Sequence, residues 1–241
     1  MSKTAVILAG GKGKRLRPYT TVLPKPLMPI GDYPIVEVII RQLAAAGIDR
    51  IIMAVNHQAD IIKSYFNSGG KWGVKIEYSL EKHPLGTMGP LRLLNGRLPT
   101  HFMVLNGDVL TDLDFSAFYD HHVQQNNLFT VAAQHREVRS EFGVLETNAE
   151  DRLIAFQEKP VQRHLVSMGI YMVARETVDF IQTDRLFGFD DLMHALLKAN
   201  REVSIMRHDG LWLDIGRPDD YMRAIDLFEE RQEQFLGKGW K

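Results

Sequence analysis

The sequence predicts an α/β fold: a mostly parallel or mixed sheet flanked by helices, with an antiparallel lobe built from the second half of the chain. Three observations lead there. In the first half, short apolar runs alternate with stretches of helical period, as strands do when crossover helices cover both sheet faces. In the second half, short β-like runs follow one another with turns between them. The two loops of most unusual composition, after Leu8 and after Leu105, both leave the carboxyl ends of strands, where open α/β sheets bind their ligands.

Thr4 to Leu8 reads as a buried strand entering a glycine-rich loop. Val36, Ile39, Ile40, Leu43 and Ala44 recur at helical spacing, so Val36 to Ala46 is a helix, closed by Gly47. Ile51 to Val55 is an apolar strand, Gln58 to Phe66 a helix stopped by Gly69 and Gly70, and Val74 to Tyr78 a further strand. A helix is expected from Gly86 or Thr87 to Asn95, then a short apolar strand from Phe102 to Leu105. His121 and His122 fall on a helix and read as surface residues. Beyond them, Leu128 to Ala133, Gly143 to Glu146, Leu153 to Gln157 and Val166 to Val173 have strand character, with a turn at Asn148 to Asp151. Val203 to Met206 and Leu211 to Ile215 are two more strands. Pro218 suits the first turn of a helix running through Leu227 and Phe228. No linker or repeat divides the chain, so one domain over residues 1–241 is expected, with a first part to about residue 125 and a second from about 126.

Composition narrows the function. The 241 residues can bury one substantial core, and hydrophobic and charged shares of 45% and 24% are those of a globular protein. A formal net charge of -1 offers no electrostatic footprint for nucleic acid or an anionic membrane. The absence of cysteine excludes disulfides, thiolate nucleophiles, Cys-based zinc sites and Fe–S clusters. Nine histidines lack H-x-x-x-H spacing, which argues against zinc. Glycine appears too early for a signal peptide, no stretch is long and apolar enough to span a membrane, and a cytoplasmic location is the expectation.

The strongest feature is Leu8-Ala9-Gly10-Gly11-Lys12-Gly13-Lys14-Arg15-Leu16-Arg17-Pro18, followed by Pro24-Lys25-Pro26. Close glycines let backbone N–H groups approach a phosphate chain, and Arg15, Arg17 and Lys25 place cations nearby. The flanking prolines stiffen the loop that presents Lys25. The segment is not a Walker A loop, and Leu16 stands where a dinucleotide fingerprint requires its third glycine. Asp108, after a strand end, and Asp214, between Leu213 and Ile215, are the candidate metal ligands. Mg²⁺ takes hard oxygen ligands and needs only one or two protein carboxylates beside phosphates and water. A turn cap for Asp108 and a backbone-bonded Asp214 are the alternatives, and Asp112, Asp114, Asp219 and Asp220 read as caps or solvated residues.

These motifs resemble the sugar-1-phosphate nucleotidylyltransferases, whose signature reads roughly L-A-G-G-x-G-[ST]-R-L-x-P-x-T, then P-K-P. The similarity runs from Ala5 to about Leu227 and is nearest in style to short bacterial mannose- or heptose-1-phosphate guanylyltransferases. The resemblance implies a Rossmann-like sheet with an antiparallel sugar-binding lobe, and transfer of a nucleotidyl group from an NTP to a sugar 1-phosphate with Mg²⁺ as cofactor. Leu8, Gly10, Gly11 and Gly13 would wrap the nucleotide, Arg15 and Lys25 would hold phosphates and transition state, and Asp108 and Asp214 would bind Mg²⁺. Lys14 departs from the usual Ser or Thr.

Glu81 to Leu91 resembles the base-reading segment E-x-x-P-L-G-T-A-G. Gly86 allows close approach to the base, and a carboxylate at Glu81 matches the adjacent N1–H and N2–H₂ donors of guanine, which favours GTP. Met88 replaces the usual Ala and adds bulk near that region. For the sugar phosphate the resemblance points to Gly143, Glu158, Lys159, Ser167 and Gly169. Ser167 and Met168 replace Asn and Ala of an N-A-G pattern, which leaves mannose, a heptose, an amino sugar or another hexose open. CTP or UTP as donor, a non-sugar acceptor such as phosphocholine, and a non-catalytic nucleotide-sugar sensor also stay open. Relatives are often dimers or tetramers, so a homo-oligomer is open too, and the implied pathways supply sugars to lipopolysaccharide, capsule or glycoprotein.

Overall fold

A computed structural model describes residues 2–182 and 185–236. Strand β1 (Lys3–Leu8) is the apolar run ahead of the glycine loop, and two short strands, β2 (Pro29–Ile30) and β3 (Tyr33–Pro34), lead into helix α1 (Ile35–Ala45). Gly47 follows α1 at φ +79°, a backbone that suits glycine. Strand β4 (Ile48–Val55), helix α2 (Ala59–Phe66) and strand β5 (Lys75–Leu80) come next. Gly69, at φ +84°, ends this helix–strand turn, where a Cβ would lie 2.7 Å from the Val74 carbonyl. Strands β6 (His101–Asn106) and β7 (Val109–Thr111) flank Asp108, and helix α3 (Phe115–Gln124) is capped by Asp114, which accepts from Ala117 N at 2.9 Å.

The second half holds β8 (Phe129–Arg139), β9 (Val144–Thr147), β10 (Leu153–Gln157), β11 (Val161–Ala174), helix α4 (Phe189–Lys198), β12 (Ser204–Arg207), β13 (Trp212–Asp214) and helix α5 (Pro218–Leu236). Seven strands form one sheet in the order β12-β8-β11-β6-β1-β4-β5. The β6-β1-β4-β5 part is parallel, whereas β11 is antiparallel to both β6 and β8. The mixed sheet with helices and small antiparallel sheets is the architecture expected from the sequence. Alternation along β1 sorts the core: Ala5 and Ile7 face a cluster with α1, α2 and α5, while Val6 faces a second cluster with Phe102, Phe129, Leu192 and Leu196.

Three expectations need correction. The segment after Gly86 is not an α-helix but a turn followed by 3-10 structure over Gly89–Leu94. Its backbone is taken by residue 187 instead, since Met88 N and Gly89 N both donate to the Phe187 carbonyl at 3.0 Å. Helix α4, with its buried Leu192 and Leu196, was not anticipated. And while His121 is exposed, His122 is fully buried.

His122 packs between α3 and the sheet, with one ring nitrogen 2.8 Å from Thr130 Oγ1 and the other 3.1 Å from His101 Nδ1. Burial, with the neighbouring His101 and His121, pulls its pKa down to about 4. A histidine depressed in the folded state is neutral there and charged in the unfolded chain once pH drops below about 6.5. Its contribution is therefore complete above pH 6.5 and is lost progressively as pH falls towards 4. Between pH 7 and pH 5.5 the loss from this residue is expected to reach about 1 kcal/mol. Urea unfolding at the two pH values measures it, and His122→Gln should flatten the difference.

Candidate functional site

The site forms where β1 and β6 end side by side. Gly107 N donates to the Leu8 carbonyl at 3.0 Å, so the glycine loop and Asp108 leave the sheet at one level. Ala9 N donates to the Ala54 carbonyl at 2.8 Å and fixes the loop's departure on the other side. Gly13 takes φ +58°, and its carbonyl accepts from Thr20 Oγ1 at 2.7 Å and Leu16 N at 2.9 Å. Leu16, which stands where the dinucleotide fingerprint has glycine, is fully buried and pins the loop to the core. Gly10 and Gly11 lie in the cleft wall.

Two adjoining cavities follow this loop. The larger, about 690 Å³, is bounded by Leu8, Gly10, Gly11, Gly13, Arg15, Glu81, Gly86, Asp108 and Asp214. The smaller, about 260 Å³, shares Leu8, Gly11, Gly13, Arg15 and Asp108 and adds Lys25 and Gly216. The residues singled out for nucleotide, phosphates and metal thus come together in one cleft, except Arg17, which is exposed and bounds neither cavity. Lys25 sits in a 3-10 turn between Pro24 and Pro26, with Pro26 and Leu27 buried, and its ammonium contacts Asp108 Oδ2.

Asp214 ends β13, which pairs antiparallel with β7, and Ile215 N donates to the Asp108 carbonyl at 2.9 Å. The carboxylate is half-buried rather than fully buried. Burial and the Asp108 charge raise its pKa, against the opposing pull of Lys25 and Arg15. Among the described residues no three His, Cys, Asp or Glu side chains gather as a metal cage. Two carboxylates close enough to repel, with a cation already drawn to one of them, fit a Mg²⁺ that takes its other ligands from phosphates and water. By contrast Asp112 is structural: it accepts from Leu211 N at 2.6 Å and pairs with His208 at 2.8 Å.

Glu81 lies at the far end of the larger cavity, only 8% exposed. A Cβ on Gly10 would sit 2.9 Å from Glu81 Oε1, so the glycine is what admits the carboxylate. Its Oε2 accepts from Leu85 N at 3.3 Å, its one hydrogen bond among the described residues, and burial raises the pKa against that bond. Gly86 has φ +84°, and a Cβ there would meet the Phe187 carbonyl oxygen at 2.5 Å. Met88 turns into the second core cluster, fully buried, and does not bound the cavity.

The residues singled out for the sugar phosphate are placed differently. Gly143, Glu158 and Lys159 stand on the exposed β9–β10 hairpin and the chain entering β11, and none of them bounds either cavity. Gly143 and Glu158 are neighbours, since a Cβ on Gly143 would lie 3.2 Å from Glu158 Oε2. Ser167 and Gly169 form a bulge in β11, where Ser167 Oγ bonds Tyr171 Oη at 3.2 Å. Gly169, at φ +74°, packs on the Asn106 amide. Met168 is buried, and its carbonyl accepts from Trp212 Nε1 at 2.9 Å. Sequence reasoning missed Asn56, Asn106 and Leu186 in the cavity wall. The first two end strands, which was a usable signal; Leu186 carried none.

The chain from residue 4 to residue 231 matches the profile of the family described as Nucleotidyl transferase. It is 34% identical over 240 residues to a UTP–glucose-1-phosphate uridylyltransferase of Synechocystis sp., covering 92% of this chain and 62% of that protein. With a mannose-1-phosphate guanylyltransferase of Mycobacterium tuberculosis it shares 34% over 229 residues, covering 91% and 63%. The chain therefore spans less than two thirds of the length of these curated relatives. In fold it is similar to HddC from Yersinia pseudotuberculosis, solved with GMP-PN, at a TM-score of 0.73 and 24% identity, covering 94% of this chain and 99% of that one.

Gly86→Ala tests the tie between the Glu81 loop and residue 187. The positive φ and the backbone clash should together cost about 2 kcal/mol or more, read as a lowered urea midpoint. The same substitution at Gly96, whose φ is +83° with open space around it, should cost less.

Proposed function

We propose that this chain, which belongs to the nucleotidyl transferase family, moves a nucleotidyl group from an NTP to a sugar 1-phosphate and releases pyrophosphate. The observation that carries the reading is the single cleft in which a glycine loop, Arg15, Lys25, Asp108 and Asp214 converge, with buried Glu81 at one end. The curated relatives named above support the substrate class, and their different nucleotides leave the base to the local chemistry of Glu81.

In this reaction a phosphate oxygen of the sugar 1-phosphate attacks the α-phosphorus, a new P–O bond forms, and the bond to the β-phosphate breaks. The attacking phosphate is largely a dianion at neutral pH, its second pKa being about 6, so no general base is needed. Catalysis comes from alignment and charge stabilisation. The loop glycines hold the phosphate chain through N–H groups, while Arg15 and Lys25 take up charge on the departing pyrophosphate. Asp108 and Asp214 would hold Mg²⁺, which when bound supplies neutralisation of phosphate charge. Lys159 and Glu158 would receive the sugar phosphate, with Gly143, Ser167 and Gly169 shaping that side.

GTP is the proposed donor. Glu81 has acceptor capacity beyond its bond to Leu85, and guanine offers two adjacent donors. The same buried position gives cytosine one donor beside an acceptor, which would face the carboxylate unfavourably.

Pyrophosphate release with Mg²⁺, over four NTPs against mannose, glucose, heptose and amino-sugar 1-phosphates and phosphocholine, tests the whole reading. Release is expected only with one NTP and a sugar 1-phosphate together; activity on phosphocholine alone, or none with nucleotide still bound, would overturn it. Lys25→Met should lower kcat about a hundredfold. Glu81→Gln should reduce GTP use roughly tenfold relative to the other nucleotides, because a charge-assisted pair is replaced by a neutral one.

A further inference from the structure

Among the described residues, one appendage carries a run of exposed large apolar side chains. The outer halves of β8 and β11, with the β9–β10 hairpin, expose Val138, Phe142, Leu145, Leu153, Ile154 and Phe156, each at least half open to solvent. A monomeric surface rarely gathers so much apolar area in one place. The charges around it are mixed, five basic and six acidic residues between positions 134 and 166, which suits neither nucleic acid nor an anionic membrane.

The same appendage has an open strand edge. Strand β12 pairs with β8 only from Thr130 to Ala133, and Gln134 is occupied with the Gly210 carbonyl. From His135 to Arg139, β8 pairs on one side alone, with β11. Its other edge presents backbone donors and acceptors to solvent.

For a second copy of this chain, symmetry fixes the register on that edge. Two identical strands that pair antiparallel are related by a twofold axis perpendicular to the sheet. Such an axis keeps each side chain on its own face, so it must pass through a residue position and not between two residues. Centring on Arg136, Glu137 or Arg139 sets a charge against its own copy. Centring on Val138 sets Val138 against Val138 and pairs Glu137 with Arg139 on both sides of it. We propose that the open edge of β8 pairs antiparallel with the β8 of a second copy of this chain, centred on Val138, and that the surrounding apolar side chains form the dimer contact. The proposal does not rest on the proposed reaction: Glu137, Val138 and Arg139 bound neither cavity, although the neighbouring hairpin also carries Gly143, Glu158 and Lys159 of the proposed acceptor side.

The register makes a test that separates pairing from folding damage, which matters because Glu137 also lies opposite Arg163 in β11. Sedimentation velocity of the full chain should show a dimer at about 100 µM, the weak end of a specific homodimer. Glu137→Arg and Arg139→Glu, each alone, should weaken self-association about tenfold or more, since like charges then face each other twice. An equimolar mixture of the two variants should dimerise again, because each now meets its complement in the other chain. A wild type that stays monomeric, single variants that dimerise as the wild type does, or a mixture that remains monomeric would each overturn the proposal.

Discussion

The approach of two strand ends governs this site. Gly107 N bonds the Leu8 carbonyl at 3.0 Å, and a Cβ on Gly107 would lie only 3.0 Å from that same oxygen. Any side chain there would press β6 away from β1. With glycine, the parallel register of Leu8 on Asn106 continues one step past the sheet, and the phosphate-binding loop starts level with Asp108. The pairing of β13 with β7 and the Ile215 N bond to the Asp108 carbonyl then bring in Asp214 to complete the pair of acids. Three segments far apart in sequence are positioned by backbone hydrogen bonds.

That geometry gathers charge in a way folding alone does not favour. Asp108 and Asp214 share a cleft of partial burial with Lys12, Lys14, Arg15 and Lys25, and Asp214 is harder to ionise than a free aspartate even with Lys25 and Arg15 beside it. Buried charge is weak evidence for stability and much better evidence for a ligand that completes the balance. Glu81 repeats the pattern at the other end of the cleft, buried with one backbone donor and acceptor capacity to spare. A ligand carrying negative phosphates at one end and hydrogen-bond donors at the other satisfies both at once.

The fold was legible where burial writes a period into the sequence. β1, β4 and β6 are apolar on both faces, α1 repeats its apolar residues at helical spacing, and Pro218 does open α5. It was not legible where a distant segment supplies the backbone partner. The stretch after Gly86 has helical composition, yet its N–H groups go to Phe187, a hundred positions along the chain, and it coils only into 3-10 turns. His122 looked like surface because two adjacent histidines look polar; the helix turns one outward and buries the other against Thr130. In the site, residue type and spacing pointed to the glycine loop, Lys25 and the two aspartates. Asn106 at the end of β6 and Asn56 just past β4 also stand in the cavity wall, and their position was the one signal that pointed to them.

The two halves of the proposed reaction centre differ in how firmly they are held. Every nucleotide-side residue sits on a buried strand end or on a loop tied by backbone bonds, so the donor meets a preformed surface. Glu158 and Lys159 stand instead in the bend between β10 and the exposed start of β11, with Lys159 at φ +44°, a conformation that costs a non-glycine residue energy unless its surroundings hold it. Alternation could not orient these strands in the sequence because neither face is buried, and the same lack of cover leaves their side chains free of core packing in the fold. In the proposed reaction, base selection would fall to the buried, backbone-tied part of the molecule and acceptor selection to an exposed appendage.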